Sequence, residues 1–338
     1  MNALSIDRPG VARVVERPAP VAGPGEVLLQ VAFAGLCGTD LSAFLGKNPL
    51  IAYPRVIGHE VSGRVVDVGA GVDATLMGVA AAVSPYKNCG NCPACRLGRP
   101  NACRSNETLG VQRDGALAEY AAVPAARLVP SQTLGLDVLA LVEPFSIGMH
   151  AVRRTGVTDS DTVLVIGCGG VGAGAIAAAA SLGARVIGLD LDEAKLGQAR
   201  RLGASDVVDG RGDAASQVQA LTEGDGPSVV IEAVGTAATY RLALDVVAPC
   251  GRIGCVGWLK GDVPLEARLI VLKEVAILGS RNATDELAAV VAMFESGTVD
   301  PRELVTHRVP LDDAPAMLER WAAAPQTVGK ILVDVSAA

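Results

Sequence analysis

Aromatic residues are scarce, at 3% of 338 residues, whereas glycine is abundant, at 39. That balance suits a glycine-turn-rich α/β protein and not a disordered chain. No block of lysine and arginine occurs, and the formal net charge is −7. Neither nucleic acid nor an anionic membrane is therefore expected as a partner. Met1 to Asp7 has no basic start and no long apolar stretch, so no signal peptide is visible. The most apolar run, Gly172 to Leu182, is Ala/Gly-rich and too short to span a bilayer. A cytoplasmic location is expected. In that compartment the eight cysteines read as metal ligands or core thiols and not as disulfides. Half of the residues are apolar, enough for real cores, and the length suggests about two domains. No internal repeat or low-complexity tract is present.

Cys37-Gly38-Thr39-Asp40 is followed, after a loop, by Gly58-His59-Glu60. Three protein ligands and one open position are what catalytic zinc uses, and a thiol, an imidazole and a carboxylate stand close in sequence here. Alone, such residues read equally as packing and surface. Two later segments change that. Cys89, Cys92, Cys95 and Cys103 have the spacing C-x2-C-x2-C-x7-C. Four sulfurs so close together can fill a tetrahedral site completely, the mark of structural zinc. Crowded thiolates also need a cation to offset their repulsion. An iron–sulfur site or a redox disulfide is the alternative. The expected role of this lobe, about 86–106, is shape and assembly.

The second segment starts at Thr162. Thr162-Val163-Leu164-Val165-Ile166 reads as a buried strand, Gly167-Cys168-Gly169-Gly170-Val171-Gly172 is G-x-G-x-x-G, and an Ala-rich helix follows. The next strand, from Arg185, ends in Asp190, 18 residues past the last glycine. This is the context that makes the fingerprint specific for a dinucleotide. Gly167, Gly169, Gly170 and Gly172 let the backbone approach a pyrophosphate at a helix N-terminus. Asp190 would accept from the adenosine ribose hydroxyls and repel a 2′-phosphate, which favours NAD over NADP. Alternation of strands (Asp206–Val208, Ser228–Glu232, Gly251–Val256, Val275–Gly279) with helices (Glu193–Leu202, Thr239–Val247) predicts a doubly wound parallel sheet. Earlier strands at Glu26–Ala32 and Val61–Gly69, with Gly/Pro turns, predict a β-rich, barrel-like unit. The expected division is 1–147 for a catalytic zinc domain, 148–282 for the Rossmann domain, and 283–338 as a segment completing the first. Glu143, before Pro144, reads equally as a helix-start residue or a carboxylate aimed into a cleft. His150 reads as a packed or surface residue, and Cys168, Cys250 and Cys255 as ordinary core or near-site thiols.

With these motifs together, the chain resembles the zinc-dependent medium-chain dehydrogenase/reductase family over essentially its whole length. Glu143-Pro144 is similar to the polyol, threonine and sugar-acid dehydrogenases of that family. The resemblance implies a GroES-like catalytic domain and two zinc ions per chain, one catalytic and one structural. It implies Cys37 and His59 as catalytic zinc ligands, with Glu60 and Glu143 competing with water for the remaining positions. Thr39 would accept the substrate's hydroxyl proton. Val171 would lie under the pyrophosphate, Lys195 near the adenosine ribose, and Val256 and Gly257 beside the nicotinamide. Arg281 would be a cleft arginine, able with Asn282 to grip a carboxylate.

Two departures stand out. Ser42 occupies the place where many relatives carry a histidine at the outer end of the proton relay, and Gly78-Val79-Ala80-Ala81 replaces a charged turn. The expected activity is reversible, NAD-dependent oxidation of a secondary alcohol on a small polyhydroxy substrate, a sugar acid or polyol. A threonine-type or butanediol-type dehydrogenase is the alternative. A zinc-free reductase or a fold without turnover fits the intact ligand set poorly. A homodimer or homotetramer is expected by the same analogy, with its contact near Gly254–Leu265.

Overall fold

The computed structural model describes residues 1–259 and 261–336. Two compact units divide the chain: Met1–Glu143 with Val305–Ala338, and Pro144–Leu304. The break falls inside one helix, Val142–Thr155. The return to the first unit comes at Val305, later than the expected 283. The reason is that helix Glu286–Glu295 buries Leu287, Val290, Val291 and Phe294 within the second unit.

In the first unit, strand Glu26–Leu36 is the organising element. Val27, Leu29 and Val31 alternate inward, the period-2 pattern of a strand with one face on a core. Among the described residues, its sheet runs Leu128–Pro130, Ala80–Val83, Glu60–Val68, Glu26–Leu36, Lys330–Asp334, Val305–Pro310, and Tyr120–Pro124 also pairs with the central strand. Glu26–Leu36 pairs antiparallel with Glu60–Val68 on one side, Gly35 opposite Glu60. Lys330–Asp334 pairs on the other side, Ile331 opposite Leu36. One end of the central strand thus receives residues from two distant segments. Leu4, Ile6, Leu29, Leu36, Ile57, Leu117, Ile331 and Val333 form the adjoining core. Burial of each such side chain contributes about 1.5–3 kcal/mol.

The second unit is the doubly wound sheet that the alternation predicts. All its strands are parallel, in the order Asp206–Asp209, Arg185–Asp190, Thr162–Ile166, Val229–Glu232, Arg252–Cys255, Ala276–Gly279. The order reverses direction beside Thr162–Ile166, the switch point where such sheets bind ligands. Helix Gly170–Ser181 packs close because it is almost all small residues; a Cβ at Gly174 would meet the Phe145 backbone at 2.7 Å. His150 is packed: its Nδ1 lies 3.0 Å from Glu286 Oε1, joining helices Val142–Thr155 and Glu286–Glu295. Of the unassigned cysteines, Cys168 is buried and Cys255 half-buried, but Cys250 is exposed, so the core reading fails for Cys250.

The Glu286 carboxyl carries a pH signature. Burial pushes its pKa up, but hydrogen bonds from His150 and the Thr284 backbone outweigh this and hold it at about 2. An unfolded glutamate titrates near 4.3. Between these values the unfolded chain binds more protons, so stability rises with pH. The contribution is complete above about 4.3 and is lost as the pH falls through 2. Melting temperatures followed from pH 5 to 2 should therefore fall less steeply for Glu286→Gln than for the wild type. Parallel curves would show that the group contributes nothing.

Candidate active site

The strand register builds the first donor set. Cys37 directly follows Glu26–Leu36 and caps helix Gly38–Phe44. Its sulfur accepts from the Thr39 N–H at 3.5 Å, and the Asp40 carboxylate accepts from the Cys37 N–H at 2.9 Å, a reciprocal capping box. Glu60 opens the neighbouring strand, opposite Gly35, and His59 directly precedes it. Gly35 is required there, because a Cβ would sit 1.9 Å from Glu60 Oε2. Donor atoms of Cys37, His59 and Glu60 lie within 4.8 Å of one another. Thr39 follows in the first turn of the helix, and Ser42 stands one turn further on.

Asp40, Tyr86 and Lys330 complete this site, and sequence reasoning gave none of them a role. The Lys330 ammonium donates to both oxygens of Glu60, at 2.6 and 2.7 Å, and to the Leu36 carbonyl at 3.3 Å. Burial opposes its charge, yet Glu60 and Cys37 raise its pKa. A lysine opening an otherwise apolar final strand was the signal available. Asp40 Oδ1 faces His59 Nδ1 at 3.8 Å; both atoms are buried and make no hydrogen bond. A carboxylate this close to one ring nitrogen favours the imidazole's positive charge by Coulomb attraction. Burial also opposes charge on His59, but Asp40, Cys37 and Glu143 together raise its pKa well above the ordinary value. So negative a pocket calls for a cation, and a thiol, an imidazole and a carboxylate suit zinc.

Glu143 is a helix-start residue, as one reading of its position had it. It lies in the first turn of helix Val142–Thr155, it is buried, and its Oε1 accepts from the Tyr86 hydroxyl. Burial and the Glu143 charge push the Tyr86 hydroxyl well above its usual range. Burial likewise raises Glu143, partly opposed by His59.

Cys89, Cys92, Cys95 and Cys103 also have their sulfurs within 4.8 Å of one another. Cys92 and Cys95 are 3.5 Å apart, as are Cys89 and Cys103. Zn–S bonds of about 2.3 Å in a tetrahedron put sulfurs about 3.8 Å apart, whereas a disulfide needs about 2.0 Å. Backbone N–H groups of Cys95 and Arg104 pull the Cys92 thiol down to about 6, while burial holds Cys95 up at about 11. Sulfurs this crowded repel one another as thiolates, and a bound cation offsets that repulsion.

In the second unit the glycine turn is built for an anion. Gly167 has φ +92°, and a Cβ at Gly172 would meet the Gly167 carbonyl oxygen at 1.7 Å. A Cβ at Gly169 would meet nothing within 4 Å, which leaves room for a pyrophosphate at the start of helix Gly170–Ser181. Gly170 and Val171 supply the helix's first N–H groups. Asp190 ends its strand, and its carboxylate accepts from the N–H groups of Cys168, at 2.8 Å, and Asp192, at 3.1 Å. It therefore also braces the glycine turn. Cys168 beside it is an inert thiol, pushed up to about 12 by burial and by Asp190. Lys195 lies half-buried on helix Glu193–Arg201. Val256 and Gly257 follow strand Arg252–Cys255, and both their N–H groups donate to the Glu232 carbonyl, at 2.9 and 3.0 Å. Glu232, which sequence reasoning read only as a strand end, is fully buried, and its Oε1 accepts from Val234 and Gly235 N–H groups. It ties together two loops at the carboxyl edge of the sheet. Arg281 is exposed just beyond Ala276–Gly279.

Residues 23–133 match the alcohol dehydrogenase GroES-like domain, and residues 170–296 the zinc-binding dehydrogenase family. The chain is 34% identical to L-galactonate-5-dehydrogenase of Escherichia coli K12, over 95% of each. It is 33% identical to sorbitol dehydrogenase of Bacillus subtilis, over 95% of this chain and 93% of that protein. The crystal structure of RspB, an alcohol dehydrogenase from E. coli CFT073 complexed with NADH, superposes with a TM-score of 0.93 at 29% identity, over 99% of each chain. This chain belongs to the zinc-type alcohol dehydrogenase family. It is an oxidoreductase, with zinc and a nicotinamide dinucleotide as its cofactors.

Removing the Lys330 cation would leave Glu60 buried and uncompensated. Losing one partner of a buried pair costs about 3–5 kcal/mol. Urea denaturation of metal-free Lys330→Met should show a loss of that size; a loss below about 1 kcal/mol, the scale of an exposed pair, would mean that water reaches Glu60.

Proposed function

We propose that this protein oxidises a secondary hydroxyl of a small sugar acid or polyol to a ketone, reversibly, with NAD. The observation that carries the reading is the thiol–imidazole–carboxylate set of half-buried Cys37 with buried His59 and Glu60, and Glu143 beside it in place of a second thiol. Relatives named for L-galactonate and for sorbitol support the substrate class. Cys37 and His59 hold the catalytic zinc, and Glu60 and Glu143 compete with water for the remaining positions. Cys89, Cys92, Cys95 and Cys103 hold the structural one. When bound, zinc lowers the pKa of a hydroxyl and the dinucleotide takes a hydride. Thr39 accepts the hydroxyl proton, which leaves through Ser42 and water or by another route. Asp40 keeps the His59 ring in one orientation, and Lys330 neutralises Glu60. Gly169 to Gly172 present N–H groups to the pyrophosphate, with Val171 beneath it. Asp190 accepts from ribose hydroxyls and repels a 2′-phosphate. Lys195 lies near that ribose, Val256 and Gly257 flank the nicotinamide, and Arg281 contributes a guanidinium. Eight free thiols suit a reducing cytoplasm, and no helix among the described residues is long and apolar enough to cross a membrane.

The test is zinc per chain together with NADH and NADPH formation over aldonic and uronic acids, polyols, butanediol and threonine. About two zincs, and turnover of an acid or polyol with NAD, are expected. Turnover confined to threonine or butanediol would overturn the substrate class, and a preference for NADP would overturn the role of Asp190.

The partner proposed is a second copy of the chain. Strand Ala276–Gly279 is the edge of the parallel sheet, paired on one side with Arg252–Cys255. Trp258, Val271, Leu272 and Ile277 are all exposed near it in sequence. An unpaired apolar edge is a template for another strand, and a twofold axis satisfies both copies at once. This moves the expected contact from 254–265 towards 271–279; Lys260, inside the earlier range, lies outside the described residues. Light scattering should give a multiple of the chain mass for the wild type and a smaller assembly for Ile277→Lys. A wild-type monomer would refute it.

A further inference from the structure

Tyr86 stands in the buried site without a part in the chemistry above. We propose that Tyr86 is a positioning residue that decides the competition between Glu143 and water: its hydroxyl holds Glu143 by Oε1 and, in the resting protein, keeps that carboxylate out of the donor set of Cys37, His59 and Glu60. The inference rests on the zinc site proposed above.

Geometry carries it. The Tyr86 hydroxyl donates to Glu143 Oε1, and both side chains are buried. The donor atoms that lie within 4.8 Å of one another come from Cys37, His59 and Glu60; Glu143 is not in that group. A carboxylate so near a divalent cation is drawn towards it, and in a dry pocket water screens little of that attraction. A charge-assisted hydrogen bond is a restraint of comparable kind, about twice as strong as a neutral one. Such a restraint works only if its own anchor is stiff. Tyr86 and Lys87 pair antiparallel with Thr108 and Glu107. The Pro85 carbonyl before them accepts from Leu109 N, at 3.1 Å, and Arg113 Nη2, at 3.2 Å. Asn88 after them donates to the Pro100 carbonyl, at 2.8 Å, and to Asn106, at 3.0 Å. Cys89, the first thiol of the lobe, comes next. The four-cysteine lobe therefore braces the segment that carries Tyr86, and through it the carboxylate of Glu143. This gives the lobe a link to the reacting centre in addition to shape.

The test replaces zinc by cobalt(II) and compares visible spectra of the wild type and Tyr86→Phe. The four-thiolate contribution is common to both and cancels in the difference. Phenylalanine keeps the ring and removes the restraint, so Glu143 should enter the donor set. The difference spectrum should then show altered d–d bands, and kcat should fall about tenfold, the scale seen when a group behind a metal ligand is lost. Melting temperature and metal count should stay near the wild-type values. In a Glu143→Ala background the same substitution should leave the cobalt spectrum unchanged, because Tyr86 acts through Glu143. Identical spectra for the wild type and Tyr86→Phe overturn the proposal whatever kcat does, as does a spectral change that persists without Glu143. A wild-type protein that takes up a single metal ion per chain removes the site itself, and the proposal with it.

Discussion

The buried pair of Lys330 and Glu60 is the constraint around which the first unit is arranged. Two charges taken out of water cost several kcal/mol each unless they meet. Here they meet across 270 residues of sequence, with both carboxylate oxygens on one ammonium. That contact needs the last strand to lie beside Glu26–Leu36, and Glu60–Val68 to lie on its other side. The same register delivers Cys37, His59 and the space at Gly35. The chemistry of the donor set and the pairing of three strands are therefore one structural fact.

The second unit solves a different problem by a different means. Its parallel strands end together, so the loops after Thr162–Ile166, Arg185–Asp190, Val229–Glu232 and Arg252–Cys255 share one edge. Backbone groups do most of the work at that edge. Gly172 admits the Gly167 carbonyl, Gly169 leaves open space, and Asp190 spends both its carboxylate oxygens, and Glu232 its Oε1, on loop N–H groups. Both acids thus brace the backbone on which a dinucleotide would rest. Oxygens of an ionised carboxylate have more than one acceptor site, so bracing does not exclude ligand contact.

Much of this was legible in the residues. The glycine fingerprint with Asp190, the strand–helix alternation and the four-cysteine spacing are local patterns, and their physical demands act over a few residues. The helices Glu193–Arg201 and Ala237–Val246 fall within two residues of where the periodicity puts them. Domain limits were less legible. Glu143 and Pro144 are neighbours in one helix yet fall in different units, and Glu286–Glu295 follows its apolar face into the second unit. Composition carries no signal for either. Tyr86, Lys330 and Glu232 were passed over because a tyrosine, a lysine and a glutamate acquire meaning only from what they touch.

By itself, the sequence determined which chemistry is available: thiols at zinc spacing, a dinucleotide turn, and an acid that follows it at the right distance. Those properties depend on residue type and short separations, which the chain states directly. The tertiary structure decided which charges face one another in the dark of the core. Asp40 against His59, Tyr86 on Glu143 and Lys330 on Glu60 are separated by 19, 57 and 270 residues, and only the tertiary fold brings them within reach. Burial then raises the pKa of Asp40, Tyr86 and Glu143, because removing water penalises their charged forms.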